Sequence, residues 1–219
     1  AASWGPDPNI EILGNVAAER LSIVSFVIRN GERYLHHNYV VALLNDMFGI
    51  QSRGGCSCAG PYGHRLLGID IERSHRFEAE ILAGVEGIKP GWVRVNFNYF
   101  ISEPVFSYIV DAVHMIAEYG WRLLPDYQFE PATGLWRHRK GPVEPPLRLS
   151  QLAFDDTGHL TYPKHHDRAP LTMLQHYLEE ARQIFEAAPP EPDLAGRPPG
   201  VSDDFEKLRW FDLPVTCVS

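Results

Sequence analysis

Cysteine is scarce in this chain: three residues in 219, with Cys56 and Cys58 only one residue apart. An odd, closely spaced set does not make a disulfide framework, so stability must come from a buried core. Lysine is scarce too, at Lys89, Lys140, Lys164 and Lys207. The 20 basic residues are scattered and outnumbered by 28 acidic ones, leaving a net charge of −8. A phosphate backbone finds little electrostatic support there, and no nucleic-acid partner is expected. Long apolar runs are missing as well. The longest, Ile23 to Ile28, is interrupted by Ser25 and is far too short to span a bilayer. No charged-then-apolar signal segment opens the chain, so a cytoplasmic protein without membrane contact is expected. The opening Trp4-Gly5-Pro6-Asp7-Pro8, with no initiator methionine before it, reads as part of a segment cut from a longer protein.

What is present is ordinary for a globular protein: 44% hydrophobic and 22% charged residues. Leu21 to Ile28 is apolar and rich in β-branched residues, which suits a central strand covered on both faces. Val40, Val41, Leu44, Met47 and Phe48 recur at helical spacing. They predict a helix over 37–48, closed by Gly49 and followed by a short strand near Ile50-Gln51. A second helix is expected over 70–86 with Ser74 as N-cap, ended by Pro90-Gly91. From Trp92 to Tyr99 the pattern alternates. Val93, Val95, Phe97 and Tyr99 share the core face of a strand, and Trp92, Arg94, Asn96 and Asn98 share the other. A helix over 104–119 then presents Val105, Ile109, Val113, Ile116 and Ala117 and stops at Gly120. These elements predict an α+β fold, a small antiparallel-rich sheet covered on one face by the helices at 37–48 and 104–119.

Composition shifts after residue 120, because 13 of the 18 prolines lie beyond it. The chain therefore divides into residues 1–120 and a proline-rich extension, 121–219. Extended wrapping is expected over 121–169, a helix over 170–187, a stiff linker from Pro189 to Gly200, and a short helix from Asp203 to Trp210 that docks by its aromatics.

Chemistry concentrates in the loop Arg53-Gly54-Gly55-Cys56-Ser57-Cys58-Ala59-Gly60-Pro61. Glycines free the backbone, and an adjacent arginine favours a thiolate, so Cys56 and Cys58 are the candidate reactive thiols. On the polar face of the next strand, Arg94 beside Asn96 offers the guanidinium fork that a substrate carboxylate needs, with Arg53 as a second candidate. Cys56, Cys58 and His64 are nominal metal ligands. A single residue between the thiols and the lack of a second pair argue against zinc, and no metal is expected. His36-His37 and His165-His166 read as solvated helix-edge and loop residues.

These residues resemble the C-terminal small domain of the class V aminotransferases, pyridoxal-phosphate (PLP) enzymes that include the group II cysteine desulfurases. The desulfurase pattern Arg-x-Gly-x-x-Cys-Ala-x-Pro is matched by Arg53, Gly55, Cys58, Ala59 and Pro61. A strand arginine, a polar turn and an amphipathic helix are matched by Arg94, Ser102-Glu103 and the helix after Pro104. The likeness spans residues 8 to 119. It implies a fold like the C-terminal domain of fold-type I PLP enzymes, with Cys58 accepting sulfur and Arg94, helped by Arg53, gripping the α-carboxylate of an amino-acid substrate. It further implies PLP held by an N-terminal large domain that this chain lacks, and a homodimer. None of the four lysines has the expected Schiff-base context, so the chain alone should be inactive. Two other readings stay open: a transaminase or lyase of the same fold that uses no thiol, and a non-catalytic module carrying sulfur or metal on Cys56 and Cys58.

Overall fold

Strand β2 (Ile23–Asn30) is the axis of the main sheet, as its β-branched composition implies. The computed structural model describes residues 2–19, 21–55, 60–141, 147–163 and 169–215. In it, β1 (Ile10–Ile12) runs along one edge of β2. The other edge is shared by β5 (Trp92–Asn96), paired with residues 23–26, and β3 (Arg33–Leu35), paired with residues 28–30. Strand β4 (Arg53–Gly55) lies outside β5, and every ladder is antiparallel. The molecule is α+β.

Register decides which side chains meet. Ile10 and Leu35 pair with Ile28, Val93 with Phe26, and Val95 with Val24, so one face of the sheet is continuously apolar. Helices α1 (His37–Phe48) and α4 (Glu103–Tyr119) cover this face. Gly49 closes α1 at φ 64°, donating its N–H to the Asn45 carbonyl, and Tyr108 of α4 donates its hydroxyl to Phe48 O at 2.9 Å. The opposite face is also partly covered. Helices α2 (Gly60–Leu66) and α3 (Ile71–Leu82) bring Leu67 and Phe77 over Val27 and Trp92 as walls of shared clefts.

Beyond α4 the chain keeps adding to the same core. Strands β6 (Tyr127–Glu130) and β7 (Leu135–His138) form a hairpin that buries Tyr127, Phe129 and Trp136, and β8 (Ala153–Phe154) pairs with β9 (Leu160–Thr161). Helix α5 (Met173–Ala187) inserts Leu178, Ala181 and Phe185. Helix α6 (Asp203–Leu208), capped by Ser202, docks Phe205 and Leu208 as its aromatic composition implies, and Phe211 and Leu213 follow. Phe211 bridges to Tyr34 beside β3.

Several boundaries differ from the sequence pattern, each for a physical reason. The strand expected at Ile50-Gln51 forms at Arg53–Gly55, where β5 supplies a partner ladder. Helix α3 starts at Ile71 because the Asp70 side chain, not Ser74, caps it by accepting from Arg73 N–H at 2.8 Å, and it ends at Leu82. Strand β5 stops at Asn96, since the Asn96 amide turns to the Asn98 side chain and a turn follows. Tyr99, expected inward, is 98% exposed. The extended wrapping expected over 121–169 contains the β6–β7 hairpin, whose Tyr127/Phe129 alternation reads as a strand only beside its partner. Helix α5 begins at Met173 and leaves Leu171 exposed.

Candidate functional site

Arg53 on β4 and Arg94 on β5 are direct cross-strand partners, and Ser25 of β2 pairs with Arg94 on its other side. Opposed residues of an antiparallel ladder point to one face with Cβ atoms about 5 Å apart. The next pair, Gly54 and Val93, faces α1: a Cβ on Gly54 would lie 2.9 Å from Asn38 Oδ1 and 3.2 Å from His37 Cδ2. The two arginines therefore stand side by side on the face turned away from α1, Arg94 half-buried and Arg53 exposed. Neither guanidinium has an ion pair or hydrogen bond among the described residues.

Asn96 shares that face but is engaged elsewhere. Its side-chain oxygen accepts from Ser22 Oγ at 3.2 Å and its amide donates to Asn98 Oδ1 at 3.1 Å. Cys56 and Cys58 lie outside the described residues, in the segment between β4 and α2. His64, on α2, lines a cleft of about 580 Å3 with Ser74, Lys89 and Trp92. Among the described residues no three His, Cys, Asp or Glu side chains converge as a metal site.

Beneath the arginine strands lies a feature that corrects the sequence reading of His36-His37. Both are buried, at 0% and 6% exposure, instead of solvated; His165-His166 lie outside the described residues. His36 Nδ1 accepts the Asn38 backbone N–H at 3.1 Å, so its proton resides on Nε2, which donates to the Gly87 carbonyl at 3.1 Å. With both nitrogens satisfied, its ring packs against His37 at 4.3 Å and Trp210 at 5.2 Å, and His37 and Trp210 themselves stack at 5.7 Å. His37 Nδ1 has no partner among the described residues. Loss of solvation pushes His37 down to about 3 and holds His36 well below the usual imidazole range, with His37 adding to the latter, so both rings are neutral. Glycines admit them: a Cβ on Gly91 would sit 2.8 Å from the Gly55 backbone and from His37 Cε1. Sequence reading missed this cluster because Trp210, which seals it, is distant in the chain.

Three of the four lysines are among the described residues. Lys89 is paired with Glu86 at 2.6 Å and Lys207 with Asp204 at 3.4 Å, both at the surface. Lys140 is exposed in the turn after β7, and Lys164 lies outside the described residues.

Compared with protein-family models, curated proteins and solved structures, the chain matches none significantly. No described helix is long and apolar enough to cross a membrane.

Proposed function

We propose that this chain is the C-terminal part of a class V aminotransferase-like, PLP-dependent enzyme of the cysteine desulfurase type, acting on a small amino acid. One observation carries the reading. Arg53 and Arg94 are opposed like charges on neighbouring strands with no counter-charge among the described residues. Such a pair is destabilising by itself, and an arriving carboxylate removes the repulsion while taking bidentate bonds from a guanidinium fork. The edge strand that carries Arg53 runs directly into the sequence of Cys56 and Cys58, which puts the candidate thiols next in the chain to the carboxylate grip. PLP would be bound by another domain of a longer protein, and this chain would contribute the grip and the sulfur-accepting thiol of Cys58.

Two measurements test this. The coding sequence upstream of Ala1 should encode a PLP-lysine domain, and its absence would leave only a non-catalytic module. In the joined enzyme, Arg94→Ala removes charge-assisted bonds worth about 2 kcal/mol, so amino acids of every kind should bind roughly 30-fold more weakly. Cys58→Ala should bind them normally yet release no sulfide from cysteine. Sulfide release at the parent rate from Cys58→Ala would remove the thiol from the reaction and leave the grip to a transaminase or lyase.

A further inference from the structure

A second basic site occupies the same sheet face at its other end. A cleft of about 450 Å3 opens between the β1–β2–β3 end of the sheet and the corner joining α2 to α3. Four charged side chains line it: Glu11, Arg29, Arg65 and Arg73. Glu11 is consumed internally, accepting from Arg29 Nη2 at 2.7 Å while the Arg29 guanidinium stacks 5.0 Å from the Tyr34 ring. Arg65 and Arg73 have no ion pair among the described residues; the Arg73 guanidinium lies 5.8 Å from the Phe77 ring. The lining is left with two uncompensated positive charges, in a chain whose net charge is −8. A concave site of one sign concentrates the field on a counter-ion. The remaining walls are apolar, including Leu67, Phe77 and Trp210, and the volume suits a small molecule better than a bare ion.

We propose that this cleft binds a small organic phosphate, a phosphomonoester on an apolar or aromatic body. Its dianion lies between Arg65 and Arg73 and its body rests against Phe77 and Trp210. Two guanidiniums match two negative charges, and their forks fit phosphate oxygens; a monocarboxylate would leave one arginine unmatched. The site is separate from Arg53 and Arg94 and does not rest on the function proposed above.

Phenyl phosphate is the probe, titrated into the 219-residue chain by calorimetry and by amide and indole NMR shifts. The expected result is one saturable site that moves the Trp210 indole N–H signal. Binding should be tighter than for inorganic phosphate or phenol, since each lacks half of the contacts. Arg65→Gln and Arg73→Gln should each weaken it about tenfold, whereas Arg76→Gln, on the same helix but paired with Asp204, should not. Arg65→Lys and Arg73→Lys repeat the test with the charge kept and the fork lost, should either glutamine variant lose its far-UV dichroism. No saturable binding at millimolar phenyl phosphate would overturn the proposal. So would an affinity unchanged in the doubly substituted Arg65→Gln, Arg73→Gln chain, or inorganic phosphate binding as tightly as the ester.

Discussion

At the scale of single residues, His36 and His37 couple the fold to pH. In the unfolded chain each imidazole takes up a proton near pH 6.5, whereas burial keeps the folded pair neutral to far lower pH, about 3 for His37. Stability is therefore full above about pH 6.5 and falls as pH drops toward 3, by about 1.4 kcal/mol per unit for each histidine. Urea midpoints measured between about pH 7 and 4.5, above most carboxylate titrations, should decline steeply. His37→Asn, neutral at every pH, should remove roughly half of that slope. A flat profile would mean that the rings accept protons in place. Arg53 and Arg94 show what a residue pattern can convey: alternation along Trp92–Asn96 was enough to put Arg94 on the polar face. That Arg53 stands opposite it depends on β4 pairing with β5, a non-local event.

At the scale of elements, α1, β4 and β5 are held together by two glycines of different tolerance. An added Cβ at Gly54 meets side-chain atoms of Asn38, Val41 and His37, which can shift by a few tenths of an ångström. At Gly91 it meets the backbone of Gly55 at 2.8 Å, which cannot move without parting β4 from β5. Gly91→Ala should thus cost about 2 kcal/mol or more and Gly54→Ala clearly less, as read from chemical denaturation. Equal costs would mean that the edge strand is held elsewhere. Helices with a strong apolar stripe and a glycine stop, α1 and α4, were legible from spacing alone. Helix α2 was not, because Gly60-Pro61-Tyr62-Gly63 carries two glycines and a proline and has no apolar period. The α3 cap was misplaced because Asp70 and Ser74 are both good caps one turn apart, and spacing alone does not choose between them.

At the scale of the whole molecule, the part after residue 120 shares the core of the part before it. Phe205, Phe211 and Leu213 belong to the cluster that contains Trp4, Phe26 and Ile88. Composition marks a proline-rich tail, and prolines do lie between the late elements, but Tyr127, Phe129, Trp136, Phe185, Phe205 and Phe211 among them are buried. Phe211→Ala should cost about 3 to 5 kcal/mol by thermal or urea unfolding, as for any fully buried aromatic ring. A change below about 1 kcal/mol would make the tail a loosely attached strap. The amide of Asn30 reaches Asp212 across 182 residues, and Trp210 caps the Ile88 carbonyl across 122. During synthesis the ribosome must therefore deliver residues 210–212 before β3 gains its neighbour and the histidine pair its lid. Until then the nascent chain holds an open sheet edge and an unsealed imidazole stack, so folding should wait for residues 210–212, with the waiting chain exposed to chaperone capture and aggregation.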